Sequence, residues 1–485
     1  MRPFLRTIIA CLSVQAAAYA AEPPVRKPNI VLILADDLGY GDVKCLGGAR
    51  GRIATPNMDR LAGEGMVFTD AHSSSSVCTP TRYGILTGRY NWRSRLQSGV
   101  MQDHQPPLIE ADRLTVAKLL QQQGYHTACI GKWHLGYRYQ GVNHTPKSPE
   151  RPEEWPPVGT TILEGPITRG FDQFHGFHHA GSMHSLVQDD RVIAKIKPVE
   201  MLPGLTRRAT AYIDERAKSK QPFFLYLPLN APHTPIVPSR EWRGKSGLNG
   251  YGDYVMQVDA TVGAVLAALD QAGVAGNTVV LFTSDNGCSP AAGVEKLEKL
   301  GHFPSARFRG YKADIWEGGH RIPFIVRWPG IIQPGTTCGQ IVSQMDLMAT
   351  CADILGSPLP ENAGVDSVSL LPLLRGGGQP VRETLVHHSI KGIFAIREGK
   401  WKLVLCSGSG GWSKPPEVAQ GEKRPSVQLY DLSADPGERK NLQASHPAIV
   451  KRLTAALEKL VADGRSTPGS AQKNDVPIDI TKEGK

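Results

Sequence analysis

Unbroken apolar runs punctuate this chain at wide intervals. Residues Asn29 to Ala35 carry Ile-Val-Leu-Ile-Leu without a polar break, and similar runs recur at Phe223 to Leu227, Thr278 to Phe282 and Ile322 to Arg327. Runs of this length without alternation predict strands buried on both faces, as in a parallel sheet covered by helices. Helical periodicity fills the intervals, at Asn57 to Glu64, Leu114 to Gln123, Arg207 to Ala217 and Tyr251 to Ala272. The alternation predicts an α/β fold with a large, mostly parallel sheet sandwiched by helices. In such sheets chemistry collects just beyond the carboxyl ends of the strands.

From about Leu370 the texture changes. Glu383 to His388, Phe394 to Glu398, Lys400 to Leu405 and Gln428 to Leu432 read as short antiparallel strands, with a turn at Asp435-Pro436-Gly437-Glu438 and an amphipathic helix over Pro447 to Asp463. The chain thus divides into a catalytic domain over residues 25–369, a smaller α+β domain over 370–464 and a polar tail over 465–485, expected to be disordered. Val142 to Pro166, rich in proline, reads as a long loop, and loops of that length are often functional. Residues 1–20 read as a secretory signal peptide: Arg2 and Arg6, a short apolar core from Thr7 to Val14, then Ala18-Tyr19-Ala20 as the cleavage site. Lipid attachment at Cys11, within a degenerate lipobox, is the less favoured alternative. No other segment is apolar enough for a membrane helix, so the mature protein is expected to be secreted or periplasmic and not an integral membrane protein.

Composition sharpens this picture. The chain has 485 residues, 40% hydrophobic and 21% charged, which suits a globular protein and excludes a disordered one. A formal net charge of +10 suits an anionic partner, solvated surface charge with no partner being the alternative. No block of like charge and no helix-turn-helix or zinc-finger pattern accompanies it, so a soluble polyanion fits better than nucleic acid. Of eight cysteines, Cys11 leaves with the signal. If Cys78 is catalytic, six remain for possible pairing, with 15 connectivities open. No CxxC or Cys/His zinc spacing occurs.

The candidate chemistry lies after the predicted strands. Asp36-Asp37 follows the first apolar run, and Asp285-Asn286-Gly287 follows another. Adjacent carboxylates repel unless a cation compensates them, and oxygen ligands from two strand ends can converge on one hard divalent ion. Helix and turn capping is the alternative for each pair taken alone. Cys78, in Cys78-Thr79-Pro80-Thr81-Arg82, opens a helix-like segment beside an arginine, a setting expected to lower a thiol pKa; a structural or disulfide cysteine is the competing reading. Gly131-Lys132-Trp133-His134, Pro232-His233-Thr234-Pro235 and Lys312 also fall near predicted strand ends.

Taken together these motifs resemble the type I, formylglycine-dependent sulfatases, the arylsulfatase and N-acetylgalactosamine-6-sulfatase-like enzymes. Cys78-Thr79-Pro80-Thr81-Arg82 through Leu86-Thr87-Gly88 is similar to the family's C-x-P-x-R signature with its L-T-G extension, and Gly124-Tyr125-His126-Thr127 through Gly131-Lys132-Trp133-His134 to the second signature. The resemblance implies an alkaline-phosphatase-like fold. It implies that a maturation enzyme converts Cys78 to formylglycine (3-oxoalanine), whose hydrated aldehyde offers the nucleophilic oxygen. A calcium ion, with magnesium possible, is implied on Asp36, Asp37, Asp285, Asn286 and an oxygen of residue 78. Arg82, Lys132 and Lys312 would supply positive charge, Asp285 would assist deprotonation, Lys312 and His233 would serve the leaving oxygen, and His134 would take the proton that releases sulfate.

Substrate contacts are read at Ser182 and His184, within Phe174 to His184, and at Trp316 and His320, within a stretch similar to that of N-acetylgalactosamine-6-sulfatases and bacterial polysaccharide sulfatases; a core or loop-packing role for Trp316 is the equal alternative. With export and net positive charge, the expected substrate is a sulfated carbohydrate, aryl sulfates being turned over as artificial substrates. Phosphoester and phosphonate hydrolases of the same superfamily, and a sulfoglycan-binding pseudoenzyme, are the alternatives.

Overall fold

The computed structural model describes residues 27–102, 105–141, 156–416 and 425–482. The signal peptide, Cys11 and most of the Val142 to Pro166 loop lie outside these residues. Apolar runs and strands coincide at the centre of a ten-stranded sheet. Its strands are β1 (Asn29–Asp36), β2 (Met66–Phe68), β3 (His126–Lys132), β4 (Gln173–Phe177), β5 (Ser185–Gln188), β6 (Arg191–Lys195), β7 (Phe223–Pro232), β8 (Thr278–Ser284), β9 (Phe324–Arg327) and β10 (Thr336–Cys338). In space they run β10-β2-β9-β8-β1-β7-β3-β4-β5-β6. The five central strands β8, β1, β7, β3 and β4 are mutually parallel, while β9 and β5 run antiparallel to their inner neighbours.

Every residue of β1 is buried. Ile30, Leu32 and Leu34 enter one core cluster and Val31, Ile33 and Ala35 the other, so the strand feeds both faces of the sheet. That two-sided burial is why its sequence shows no alternation. Helices cover the faces: α1 (Pro56–Gly63), α2 (Cys78–Thr87), α3 (Val116–Gln122), α4 (Pro198–Ala217), α5 (Gly250–Gln271) and α6 (Leu347–Ile354). Among the described residues no helix is long and apolar enough to cross a membrane.

The smaller C-terminal unit is an antiparallel sheet, β11 (Thr384–His388), β12 (Phe394–Glu398), β13 (Trp401–Val404) and β14 (Gln428–Asp431), backed by α7 (Pro447–Ala462). The tail is not disordered over 465–482. Asp475 takes both guanidinium nitrogens of Arg89 at 2.9 and 3.0 Å, Asn474 accepts from Arg93 at 3.0 Å, and Ile478 and Ile480 pack near Leu453 and Leu457. Its polar composition hid these few anchoring contacts.

A buried ionic knot joins the two sheets. Asp70 receives both Arg397 nitrogens at 2.6 and 2.7 Å, Glu317 receives Arg321 at 2.9 Å, and Lys402 bridges Glu317 at 3.1 Å and Glu438 at 2.8 Å. His72, His320 and His387 fill its centre, with the rings of His320 and His387 stacked at 3.7 Å. Ligand atoms of these histidines and Glu317 lie within 4.8 Å of one another. Parallel rings cannot both aim a lone pair at one ion, and the flanking cations oppose one, so the cluster is read as a structural hub.

Four histidines here are buried in the neutral form. Burial lowers His72 to about 4 and His388 to about 3, and it holds His320 and His387 well below the usual 6.5. On acidification the unfolded chain therefore binds protons first. Stability is intact above about pH 6.5 and falls as pH drops towards 4, by up to about 1.4 kcal/mol per unit for each histidine. Thermal unfolding followed from pH 7 to 4.5 should show a midpoint that falls steeply, with a shallower slope in His387→Gln; a flat midpoint across that range would contradict the assignment.

Candidate active site

The carboxyl edge of the parallel strands gathers the charged residues that the sequence singles out. Asp36 ends β1, Lys132 ends β3, His233 follows β7 directly, and Asp285 and Asn286 follow β8. Cys78 is the first residue of α2, and Arg82 lies one turn further along the same face. Three residues at or beside the site, Asp37 (φ 69°), His134 (φ 56°) and Ala313 (φ 79°), adopt the left-handed conformation, a strain that persists where surrounding structure over-determines it. Gly131 (φ 137°) precedes Lys132, and a Cβ there would collide with the Pro228 carbonyl oxygen.

Three buried carboxylates face three buried cations. Arg82 donates to Asp285 Oδ2 through Nη2 at 2.8 Å and Nε at 3.2 Å, and its Nη1 donates to the Lys132 carbonyl at 2.9 Å. The Lys132 ammonium lies 2.7 Å from Asp36, and Lys312 donates to Asp37 at 2.8 Å. Cys78 Sγ is 3.5 Å from Asp36 Oδ1, and His233 Nε2 is 3.6 Å from Asp37. Ligand atoms of Asp36, Asp37, Cys78 and His233 all lie within 4.8 Å of one another. Asn286 donates through Nδ2 to Asp37 and to the Gly287 carbonyl, while its buried Oδ1 meets no hydrogen-bond partner among the described residues. The Asp36 and Asp37 carboxylates with the orphaned Asn286 amide oxygen fit a hard cation such as Ca2+ or Mg2+.

Electrostatics follow from dryness and charge order. Burial raises the Asp36 carboxyl, but Lys132, His233, Arg82 and Lys312 outweigh it and hold Asp36 well below the usual carboxylate range. Asp285 is pushed up to about 6 by burial and by the Asp36 charge, despite Arg82. Burial and Asp285 push the Cys78 thiol up, opposite to the direction expected from a helix N-terminus. The apolar enclosure and neighbouring carboxylates outweigh the helix end, so the residue as genetically encoded is a poor thiolate. His134 donates through Nε2 to the Met101 carbonyl at 2.9 Å, which leaves its Nδ1 without a hydrogen-bond partner among the described residues. Burial, with Lys132 close by, keeps that imidazole neutral.

The other candidates fall elsewhere. Trp316 is fully buried, donates to Gln428 at 3.1 Å and has the Arg309 guanidinium 3.5 Å from its ring centre, so it cannot stack on a sugar. His320 is enclosed in the ionic knot. Ser182 is buried in a short turn with its hydroxyl 3.3 Å from His179, and His184 is partly exposed two residues further on. It is the His179 ring that lies 5.5 Å from His134, a neighbour that sequence spacing does not reveal. No cysteine pairs with another among the described residues; Cys45, Cys129, Cys288, Cys338, Cys351 and Cys406 are all thiols.

A charge cluster of this kind at the carboxyl edge of a parallel sheet marks the active site of an α/β enzyme. Residues 28–357 match the Sulfatase family model, and residues 311–463 match one described as the C-terminal part of N-sulphoglucosamine sulphohydrolase. The chain belongs to the sulfatase family of sulfuric ester hydrolases. It is 34% identical to an N-acetylgalactosamine-6-O-sulfatase of Bacteroides thetaiotaomicron over 90% of this chain and 93% of that one. Identity to human arylsulfatase A is 33%, covering 92% and 90%. A Bacteroides thetaiotaomicron sulfatase structure, solved in work on the metabolism of multiple glycosaminoglycans, superposes with a TM-score of 0.77 at 31% identity, covering 90% of this chain and 99% of that one. A structure of Ps i-CgsB with k-i-k-neocarrahexaose gives 0.73 at 27% identity, covering 92% and 95%.

Removing Arg82 strands Asp285 and weakens the compensation of Asp36. Arg82→Met is expected to lower stability by about 3–5 kcal/mol, read by chemical unfolding, because a buried charge loses its partner. A loss below about 1 kcal/mol would mean that Lys132 and Lys312 suffice without it.

Proposed function

We propose that this protein is a secreted sulfatase that removes sulfate from a sulfated glycan, with Cys78 matured to formylglycine and a calcium ion held by Asp36, Asp37, Asp285, Asn286 and an oxygen of residue 78. The observation that carries the reading is the convergence of Cys78, three carboxylates, an orphaned Asn286 oxygen and three cations in one buried cluster. When present, formylglycine supplies an oxygen nucleophile and calcium supplies positive charge towards the sulfate oxygens.

The chain's own residues complete the chemistry. Lys132 and Lys312 place ammonium groups where sulfate oxygens would lie, and Arg82 fixes Asp285 beside residue 78. Asp285, held by Arg82, lies close enough to residue 78 for the two charges to interact and is placed to accept its proton. His134, neutral and oriented through Met101, offers Nδ1 as a second acceptor. His233 and Lys312 lie together at Asp37, where a proton could pass to the departing sugar oxygen.

The glycan assignment rests on relatives named for N-acetylgalactosamine-6-O-sulfate and a neighbour holding a neocarrahexaose, together with the net charge of +10. Export follows from the N-terminal sequence, and a formylglycine-generating enzyme would be the obligate maturation partner.

Protein from a host with that enzyme should give a peptide spanning Cys78 in which the thiol is replaced by an aldehyde. It should release inorganic sulfate from sulfated oligosaccharides, lose activity with a chelator and regain it with Ca2+. Cys78→Ala should lower turnover on the order of 10^4-fold or more. Full activity in Cys78→Ala, or a clear preference for phosphate esters, would overturn the proposal.

A further inference from the structure

Among the described tryptophans only Trp412 is exposed, at 54%. Trp92, Trp133 and Trp316 are fully buried. A single exposed apolar residue is ordinary on a protein surface. What sets Trp412 apart is how firmly its backbone is held, and to what.

The holder is Asp314, fully buried and two residues beyond Lys312. Its Oδ1 accepts from the backbone N–H groups of Trp412 and Ser413 at 2.9 and 3.0 Å, and its Oδ2 accepts from Tyr311 N–H at 2.9 Å. One carboxylate thus ties Trp412 to the turn that carries Lys312. Further bonds close the same seam: Ile315 N–H donates to the Ser409 carbonyl at 2.7 Å, and a Cβ on Gly411 would strike the Ala313 carbonyl. From the smaller sheet, Gln428 donates to the Cys406 and Gly408 carbonyls at 2.8 Å while receiving the Trp316 indole.

Trp412 also belongs to a set of loops grouped around that turn. Ala313 N–H donates to the Ser76 carbonyl, two residues before Cys78, and Ile390 N–H donates to the Ala313 carbonyl. Gly99 N–H donates to Ile390, and two residues on from Gly99 is Met101, whose carbonyl orients His134. The loops 97–101, 389–392 and 409–413 therefore meet at the Lys312 turn. An indole left in water on a rigid mount there loses little freedom when a flat apolar surface covers it.

We propose that Trp412 is a sugar-stacking platform, supplied by the smaller domain, that binds a pyranose ring of the sulfated glycan whose ester is cleaved at residue 78. The inference rests on the sulfatase reading above and names a specificity residue for it. The electron-rich indole face would meet the C–H face of the ring, while Lys132 and Lys312 hold the sulfate.

The test uses the mature enzyme and the oligosaccharide it desulfates fastest from a panel of chondroitin sulfate, heparan sulfate and carrageenan fragments. Trp412→Ala should raise KM about tenfold, with the inhibition constant of inorganic sulfate unchanged, and Trp412→Phe should recover most of the loss. Indole fluorescence of wild type minus Trp412→Phe should change on adding the oligosaccharide and not on adding inorganic sulfate. A KM within twofold of wild type in Trp412→Ala would overturn the platform while leaving the sulfatase reading intact, as would an equal shift in sulfate inhibition. If the enzyme hydrolyses aryl sulfates but no member of the panel, the glycan reading itself falls and takes the platform with it.

Discussion

Three carboxylates forced together at the ends of two neighbouring strands are the constraint around which the site is organised. Parallel pairing brings the end of β1 beside the end of β8, with Ala35 opposite Ser284, so Asp36, Asp37 and Asp285 have nowhere to separate. In a dry enclosure such charges are tolerable only when each has a cation within contact distance. Arg82 comes from α2, Lys132 from the end of β3 and Lys312 from the loop before β9, so the compensation draws on distant parts of the chain. Each cation fixes the element that bears it. The left-handed backbones of Asp37, His134 and Ala313 persist for the same reason, since relaxing any of them would move a charged or hydrogen-bonded group away from its partner.

The same device recurs where the two sheets meet. Asp70, Glu317 and Glu438 face Arg321, Arg397 and Lys402 across a core of neutral histidines. Glu438 shows how strongly burial acts there: it is pushed up to about 7 by desolvation even with Lys402 alongside. The two clusters differ in what surrounds their unsatisfied atoms. In the knot these are the nitrogens of His387, on a ring stacked against His320 and flanked by Lys402 and Arg397, whereas in the active cluster the Asn286 oxygen has no partner among the described residues and its amide lies against the Asp37 carboxylate. An unsatisfied oxygen beside carboxylates suits a cation, as ring nitrogens flanked by cations do not. The knot also makes the smaller sheet part of the site's frame, because β11 touches the Ser75 backbone three residues before Cys78.

What could be read from sequence followed the strength of the local physics. Strands buried on both faces leave unbroken apolar runs, so β1, β7 and β8 were legible, along with the carboxylates at their ends. β3 was legible only at its end, before Lys132, and β4 not at all, because His126, Thr127, His175 and Gly176 interrupt the apolar pattern and the strands are completed by neighbours distant in sequence. Helix α4 begins nine residues before its predicted start, with Pro198 in its first turn and Pro203 inside it obscuring the period. The Asp435-Pro436-Gly437-Glu438 segment has turn chemistry and yet buries Glu438, since a composition rule cannot see Lys402 waiting across the sheet. The burial of Trp316 and the exposure of Trp412 escape sequence reading for the same reason. The first lies in a motif but is enclosed by Gln428 and Arg309, while the second, in a Gly-Ser run without a motif, is held out at the surface by Asp314.

The environment of Cys78 bears on the nucleophile. A catalytic thiolate needs a setting that lowers its pKa, by a cation, a helix end or partial exposure. Cys78 has the helix end and nearby cations, but full burial and the facing carboxylates prevail and the thiol is pushed up. The encoded thiol is therefore held protonated by its protein surroundings, while the site offers what the proposed oxygen at the same position would use: carboxylate and amide oxygens for a metal, the Lys132 and Lys312 ammonium groups for an anion and a neutral imidazole. Such an oxygen would share the hard cation with Asp36, as a thiol does not. The proposed oxygen at residue 78 thus fits this arrangement of charges better than the encoded thiol does.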